Sequence, residues 1–477
     1  MRTYNSQKQL KLSNFYLPFE GSLDPNNRWV LLGDRLPWDD LVQPYLKALN
    51  EEKGRPSIDA RIVVGAIILK HLLNVSDREV IAQISENIYL QYFLGLEGFC
   101  KEAIFDPSLF VSLRKRLGQE SFEEMTKALV EKVNAEEERK DEKKELKSDK
   151  EEKRKGKLIV DATVSPSDIT YPTDLNLLGK ARELTEEIID IFWKNDRSSF
   201  DKKPRDYRKQ ARKRYLNAAK KKKPSRKALR KAIGQQLRYL KRNLKRIDMW
   251  LDKKSCLLKT LPKWLYKRLL VLRLVYEQQG EMYNKKKNRC NDRVVSLSQP
   301  YVRPIVRGKA GNKVEFGAKL NCSLVDGMVW IDNLDFDNFN EGICLKEEVE
   351  NYKMRYGYYP EQVLGDKIYA TSSNLKWLKG KNIYFTGKSL KKMKNERNRI
   401  EGKFGEGKRK NGLDKIKAKR EDTSYSWIAS ILFCMNIKCF MKGSILLIVF
   451  ILIMFFLVNV RRKNTIVDVK RPMKFAF

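Results

Sequence analysis

The sequence has one histidine, His71, in 477 residues, and its seven cysteines include no C-x-x-C pair. Zinc sites built from cysteine and histidine are therefore not expected, and catalysis by a histidine base is nearly excluded. His71 lies within the apolar pattern at 61–73, where we predict that it fills space in the core or at the surface. Any chemistry of this chain must then be carried by carboxylates.

The cysteine count is odd, and the N-terminus lacks the apolar segment of a secretion signal. Both features favour a reducing compartment over an oxidising one. We therefore expect a cytoplasmic protein.

Acidic residues are fewer than basic ones. The chain has 60 Asp and Glu and 98 Lys and Arg, which gives a formal net charge of +38. So large an excess requires an anionic partner, and nucleic acid is the obvious candidate. A basic soluble or ribosome-associated protein is the alternative, but such proteins are usually shorter and poorer in tryptophan than this chain, which has 8. The cations concentrate in clusters at 205–214, 220–223, 226–231 and 238–246.

Long uninterrupted apolar runs are almost absent, and the exception lies at 445–458. About 20 apolar residues are needed to span a bilayer, so this run is short for that purpose. We expect a packed or oligomer-forming helix here and no membrane partner. A membrane segment and a degenerate C-terminal end are the alternatives for this part of the chain.

Charge and periodicity divide the chain into four parts. We predict an all-α N-terminal domain at 1–134, a charged linker at 135–156, a domain of strands and helices at 157–440 and an apolar and basic tail at 441–477. Within the third part, residues 178–290 are predicted to form a long basic helical insert, because their apolar residues recur at helical spacing.

The N-terminal domain is predicted to contain helices at 58–73, from 76 onward, at 85–94 and at 107–117. The segment from Ser76 to Glu79 has the pattern of a capping box, which indicates where the second helix begins. A helix-turn-helix in this domain could present Arg78 or Arg114 to a DNA groove. An ordinary helical bundle is the alternative interpretation.

Strand-like patterns occur on both sides of the basic insert. Residues 157–163 (KLIVDAT) predict a buried strand with Asp161 at its end, and residues 361–365 predict another that ends at Asp366. The Asp326-Gly327 pair predicts a hairpin turn between strands at 314–325 and 328–334. A further strand is expected at 382–385, with helices at 347–352, 374–379 and 389–404. The fold class is therefore α/β.

The order of these elements places three carboxylates where they can converge. Two strand-end aspartates, Asp161 and Asp366, and the helical Glu401 supply the hard oxygen ligands that Mg²⁺ prefers. These three are the candidate catalytic and metal-binding residues. The hairpin also carries four aspartates, which we interpret as solvated turn and edge positions: Asp326, Asp332, Asp335 and Asp337.

Cations near these carboxylates are suited to DNA phosphates. Arg397, Lys403 and Lys408 lie on the helix of Glu401. Lys319 and Lys367 flank the predicted site, although the simplest interpretation of either is a surface lysine.

The same segment resembles a known family. Residues 397–408 fit the R-x(3)-E-x(6)-K motif of bacterial insertion-sequence transposases, in the group that includes the insertion-sequence-five family. Further similar segments are IVDAT at 159–163, RPIVRGKAGNKVEFGAKL at 303–320, VLGDKIYATSSN at 363–374 and the block at 55–73. The resemblance covers roughly residues 14–440.

This resemblance implies a ribonuclease-H-like catalytic core with an inserted helical subdomain, preceded by a helical DNA-binding domain. In that family two aspartates and a glutamate hold two Mg²⁺ or Mn²⁺ ions, water nicks the transposon end, and the freed 3′-hydroxyl attacks target DNA. By motif position Asp161, Asp366 and Glu401 take the metal-binding roles, and Arg397 and Lys408 become DNA contacts. The tyrosine of the motif is replaced by Lys394.

The resemblance also implies partners. They are double-stranded DNA, as terminal inverted repeats and as target, and a second copy of the chain in a synaptic homodimer. The expected location is then the bacterial nucleoid.

Two alternative functions stay open. One is a non-catalytic DNA-binding protein, such as a domesticated or degenerate transposase, and the intact carboxylates count against it. The other is a ribonuclease-H-like nuclease that cuts without strand transfer. The long basic insert favours the transposase, because the pairing of two DNA ends needs more surface than a single cut.

Overall fold

The computed structural model describes residues 4, 22–50, 56–141, 154–198, 203–205, 207–306, 314–387 and 391–441. Most of the predicted charged linker and nearly all of the predicted tail, including the apolar run at 445–458, lie outside these residues. Within them the chain is a mixture of α-helices with one six-stranded sheet. None of the described helices is both long and apolar enough to cross a membrane.

The N-terminal helices are α1 (Arg28–Arg35), α2 (Trp38–Leu41), α3 (Gln43–Lys47), α4 (Ala60–Leu73), α5 (Asp77–Glu86), α6 (Ile88–Phe93), α7 (Leu109–Arg116) and α8 (Gln119–Asp141). The helix start predicted at Ser76 is confirmed, because Ser76 Oγ accepts a hydrogen bond from the Glu79 backbone N–H at 3.1 Å. The second half of a capping box is not formed, since the Glu79 side chain accepts from Gln83 Nε2 at 2.8 Å. The helix predicted at 85–94 is wrong at its start. Ser85 belongs to α5, and α6 begins only after Asn87, whose side chain accepts from the Tyr89 N–H at 2.9 Å.

The sheet consists of β1 (Lys157–Pro166), β2 (Arg303–Val306), β3 (Val314–Val325), β4 (Met328–Asp335), β5 (Gln362–Leu364) and β6 (Tyr384–Thr386). The strand order is β2-β3-β1-β5-β6, and β4 also pairs with β3. Strand β1 is antiparallel to β3 and parallel to β5. The predicted hairpin is confirmed, since Asp326 and Gly327 both have positive φ, at 47° and 86°, as a two-residue turn between β3 and β4 requires.

Strand β1 is longer than the sequence indicated. Its pairing with β3 continues to Pro166 opposite Gly317, so Asp161 lies in the middle of the strand and not at its end. A Cβ at position 317 would clash with the carbonyl group of Ser165, and glycine therefore permits this close pairing.

Between β1 and β2 the chain forms α9 (Asp174–Asn195), α10 (Arg208–Ala219), α11 (Arg226–Lys253) and α12 (Lys263–Lys285). After the hairpin come α13 (Glu341–Tyr356), α14 (Ser372–Gly380), α15 (Lys391–Lys410) and a helix at 421–441, labelled α16. Helix α13 begins earlier than predicted, because the Asn340 side chain caps it by accepting from the Gly342 N–H at 3.0 Å.

The two faces of the sheet pack into different hydrophobic clusters. Val160 of β1 belongs to a cluster with Val63 of α4 and Phe433 of α16. Its neighbour Ile159 belongs to a second cluster, with Ile400 of α15. Because successive strand residues face opposite sides, Asp161 lies on the same side as Ile159, toward α15.

The insert helices have a core of their own. Side chains from three of them, Ile188 of α9, Trp250 of α11 and Leu272 of α12, belong to a third cluster. The packed sides predicted for this region are confirmed at Leu240 and Leu244. Several apolar positions are exposed instead, among them Met249 of α11 by 45% and Leu270 of α12 by 71%.

His71 is buried, and its Nε2 lies 2.8 Å from Ser430 Oγ of α16, which confirms a packing role. Arg114 pairs with Asp77 and lies over the ring of Trp427 at 4.5 Å, and its side chain is only 11% exposed. It therefore cannot reach a DNA groove, and that suggestion for Arg114 was wrong. Arg78 is exposed on α5.

Candidate active site

The three carboxylates singled out in the sequence line one open cavity of about 600 Å³. Asp161 comes from β1, Asp366 from the loop after β5, and Glu401 from α15. Arg397 and Lys319, two of the predicted DNA contacts, line the same cavity. The fold thus brings together five of the predicted site residues from four separate segments.

Parallel pairing explains why the two aspartates are neighbours. In the β1–β5 register Ile159 lies opposite Leu364, and two residues further along each chain are Asp161 and Asp366. Both side chains therefore emerge at the same level and in the same chain direction. Asp366 also accepts a hydrogen bond from the Lys367 backbone N–H at 2.8 Å, which fixes the start of a short 3₁₀ turn, Lys367–Tyr369.

Asp161 lies in an environment that disfavours its charge. Burial, which is the largest cause, and the nearby charges of Glu401 and Glu341 raise the pKa of its carboxyl to about 6. The Ala162 backbone N–H and Arg397 act in the opposite direction. A cation that enters the cavity would stabilise the charged form of this carboxyl.

Helix α15 presents Glu401 to the cavity because its other side is anchored in the core. Ile400 and Phe404 are buried in the second cluster. Arg397, one turn before Glu401, donates from Nη2 to Glu401 Oε1 at 2.8 Å. The Arg397 side chain is 12% exposed and that of Glu401 is 51% exposed, so the glutamate faces the open space.

Lys319 is a buried residue and not a surface lysine. Its Nζ lies 2.8 Å from Glu341 Oε1, and it donates to the Phe339 carbonyl at 2.7 Å and to Asn338 Oδ1 at 3.3 Å. These contacts hold a positive charge in the cavity wall.

The other three predicted DNA contacts do not line the cavity. Lys367 follows Asp366 directly and is exposed. Lys408 lies seven residues after Glu401 and therefore on the same side of α15, two turns further along. Lys403, two residues after Glu401, points to the opposite side of the helix.

The structure adds site features that the sequence did not reveal. Glu341 is a fourth carboxylate at the cavity, on the first turn of α13. The capping residue Asn340 marks the start of α13 in the sequence. It was missed because the helix was predicted to begin at residue 347.

A buried network lies beside the turn that follows Asp366. Tyr369 donates from its hydroxyl to Asn321 Oδ1 at 2.6 Å, and the Asn321 amide donates to Glu348. Burial, followed by the charge of Asp332, raises the pKa of Glu348 well above its ordinary value. No local sequence pattern identifies such a contact between β3, α13 and the turn.

Asp332 was interpreted as a solvated position of the hairpin, and that interpretation was wrong. Its side chain is 1% exposed and pairs with Arg355 at 2.7 Å, and Arg355 also pairs with Glu123 at 2.6 Å. A buried arginine explains the position better than solvation does. The remaining three aspartates are exposed, as expected: Asp326, Asp335 and Asp337.

The carboxylates are the natural candidates to hold a metal. Among the described residues, no group of three or more His, Cys, Asp or Glu side chains is close enough to hold an ion as it stands. The donor set nevertheless fits a hard divalent cation, because it consists of oxygen ligands in a water-accessible cavity. The raised pKa of Asp161 points the same way, since a cation would relieve the cost of its charge.

A second charged feature lies on the insert. Helices α10 and α11 have packed apolar sides, and their other sides carry many exposed cations. These residues form the basic surface: Lys209, Arg212, Lys213, Arg214, Arg226, Lys227, Arg230, Lys231, Arg238, Lys241 and Lys245.

Comparison with known proteins identifies two regions of the chain. Residues 17–116 match the family model described as Transposase domain (DUF772), and residues 363–438 match the model described as Transposase DDE domain. The second match contains Asp366 and Glu401, whereas Asp161 lies outside both. A protein of Rhizobium meliloti, "Uncharacterized protein ORF8 in nfe locus", is 33% identical over 162 residues, which are 34% of this chain and 72% of that protein. No solved structure matches the chain significantly.

Both matched models are transposase domains, one in the N-terminal helical region and one around α15. Together with the acidic cavity, they define the class of protein. The chain belongs to the DDE-type transposases of insertion sequences.

Proposed function

We propose that this transposase binds the terminal inverted repeats of its insertion sequence and catalyses metal-dependent DNA cleavage and strand transfer. Asp161, Asp366 and Glu401 are its metal ligands in this proposal. The observation that carries it is that these three carboxylates, from three separate elements, line one cavity. The catalytic core is proposed to be ribonuclease-H-like, which is supported by the antiparallel β1, β3 and β4 beside the parallel β5 and β6.

Two Mg²⁺ or Mn²⁺ ions, when bound, would supply Lewis acidity and an activated water for phosphodiester cleavage. The protein side chains have their own tasks. Lys319 and Arg397 are positive groups fixed in the cavity wall, so they can neutralise a phosphate at the scissile bond. Below a pH of about 6 the carboxyl of Asp161 holds a proton, and it is then a poor ligand.

The basic surface, together with Lys367, Lys403 and Lys408, is proposed to bind the DNA phosphates. The N-terminal domain at 1–134 is proposed to contribute sequence recognition through α4 and α5, with the exposed Arg78 as one contact. The catalytic domain is then 157–440, with its insert at 178–290. A homodimer would pair the two transposon ends, and such a protein would reside on the nucleoid.

A non-catalytic DNA-binding role is a second candidate. It is favoured by one observation, that the described carboxylates do not form a ready set of three metal ligands. In that case the basic surface would still bind DNA, but no cleavage would follow.

The test is a cleavage and joining assay with a labelled duplex that carries the terminal repeat, in Mg²⁺. Asp161→Asn, Asp366→Asn and Glu401→Gln should each lose cleavage at least a thousandfold while they retain DNA binding, because each removes a charged ligand and no phosphate contact. Glu406→Gln, on the same helix but outside the cavity, is the matched control and should remain active.

Each outcome has a separate meaning. Full cleavage by any of the three variants would overturn the site assignment. Cleavage without joining by the unaltered protein would indicate a nuclease, and tight binding without cleavage would indicate the non-catalytic role.

A further inference from the structure

Helix α12 is apolar on two opposite sides. One side packs into the insert core through side chains that include Leu265, Leu269 and Leu272. The other side exposes Tyr266 by 48%, Leu270 by 71% and Leu274 by 42%. A surface helix normally has one apolar side and one polar side, so the second apolar side needs an explanation.

The exposed apolar residues belong to a longer stripe. Six exposed positions, three or four residues apart, follow one side of α12 and are called the α12 seam: Lys263, Tyr266, Leu270, Leu274, Glu277 and Glu281. This spacing is that of a helix that packs against another helix along its length.

The charges of the seam are arranged symmetrically about Leu270. Lys263 lies seven residues before it and Glu277 seven residues after it. When a second α12 is placed antiparallel with the two Leu270 side chains together, Lys263 of each copy faces Glu277 of the other. Tyr266 then faces Leu274. The seam is thus complementary to itself in charge and in apolar character.

We propose that the α12 seam binds the α12 seam of a second copy in an antiparallel helix pair. The use of this helix pair, which is to hold two DNA ends in one complex, rests on the proposed function. The seam is less suited to DNA, because its three central side chains, Tyr266, Leu270 and Leu274, carry no positive charge for a phosphate and Glu277 would repel one. It is also small beside the roughly 1,200 Å² that stable interfaces bury, so a reversible dimer is expected.

The test measures the dimer dissociation constant of the full chain without DNA, by sedimentation equilibrium over a concentration series. Lys263→Glu and Glu277→Lys alone should each weaken the dimer at least tenfold, because each places like charges across both symmetric contacts. The double variant should return to within about threefold of the unaltered protein. Within one helix these two residues are about 21 Å apart, so the restoration cannot come from a contact inside one copy.

Substitution of Leu270, at the centre of the seam, provides a second test. Leu270→Lys should leave a monomer, whereas the control Met354→Lys, at an exposed position of α13, should dimerise normally. The circular dichroism spectrum of each variant reports whether it folds. A monomeric unaltered protein, or a double variant as weak as the single ones, would overturn the proposal. A seam covered by residues 442–477 of the same chain would give such a monomer, and it would overturn the proposal in the same way.

Nicking of a single labelled end, measured in parallel, separates this proposal from the proposed function. An unaltered protein that is monomeric and nicks DNA in Mg²⁺ refutes the proposed helix pair and leaves the proposed function in place. A dimer that passes the charge-exchange test but never nicks DNA refutes the proposed function and leaves the seam in place.

Discussion

At the scale of single residues, the acidic cavity depends most on Asp161. Its carboxyl is half-buried in the middle of β1, with Glu401 and Glu341 close enough to raise its pKa. A charged carboxyl in that position lowers the free energy of unfolding when no cation is present. Such perturbed groups cluster at functional sites.

The pKa of Asp161 predicts a specific dependence of stability on pH. The folded value of about 6 lies above the ordinary 3.8, so the folded state binds the proton more tightly. The carboxyl therefore costs nothing below pH 4, and its cost grows to about 3 kcal/mol by pH 7. Asp161→Asn should remove that cost. Its free energy of unfolding in urea with EDTA should exceed that of the unaltered protein at pH 7, and the two should converge toward pH 4.

The control for this prediction is Asp326→Asn, in the exposed hairpin turn, which should change stability by less than about 0.5 kcal/mol at every pH. Addition of Mg²⁺ should stabilise the unaltered protein and not Asp161→Asn. A difference between the two proteins that does not vary from pH 4 to pH 7 would show that Asp161 is not buried among carboxylates.

At the scale of secondary structure, α10 and α11 separate packing from charge. Leu240 and Trp250 are fully buried, whereas Lys241 and Lys245 of the same helix are exposed one turn apart. This arrangement leaves the cations free to follow a DNA backbone while the other side of the helix holds the insert together.

The basic surface predicts a change in the salt dependence of DNA binding. Lys241→Gln with Lys245→Gln should lower the slope of log K against log salt by about two, because two phosphate contacts release fewer counterions. The matched control is Lys376→Gln with Lys379→Gln, two exposed lysines of α14, which should leave the slope unchanged. Fluorescence anisotropy at several salt concentrations gives both slopes. Equal slopes in the two double variants would place the DNA elsewhere.

Elements were predictable from the sequence where the signal was local. The hairpin turn at Asp326-Gly327 and the helix start at Ser76 are fixed by neighbouring residues, and both are confirmed. Contacts between distant elements were not predictable. Arg114 was assigned to DNA because nothing near it in sequence shows that Trp427 covers it, and Asp332 was taken as solvated because Arg355 lies on another element.

At the scale of the whole molecule, the fold brings together residues that are far apart in the chain. Asp161 precedes the entire insert, and Asp366 and Glu401 follow it. The candidate trio was predictable because strand patterns and a family motif mark each residue separately. The cavity itself, with Lys319 buried beside Glu341, follows only from the assembled sheet and from α13.

The central claim is that these three carboxylates bind the catalytic metal, and substitution by cysteine tests it most directly. A thiolate is a poor ligand for Mg²⁺ but an acceptable one for the softer Mn²⁺. Asp161→Cys, Asp366→Cys and Glu401→Cys should therefore be inactive in Mg²⁺ and regain DNA cleavage in Mn²⁺, while Glu406→Cys cleaves in both. Full cleavage in Mg²⁺ by any of the first three variants would contradict the claim.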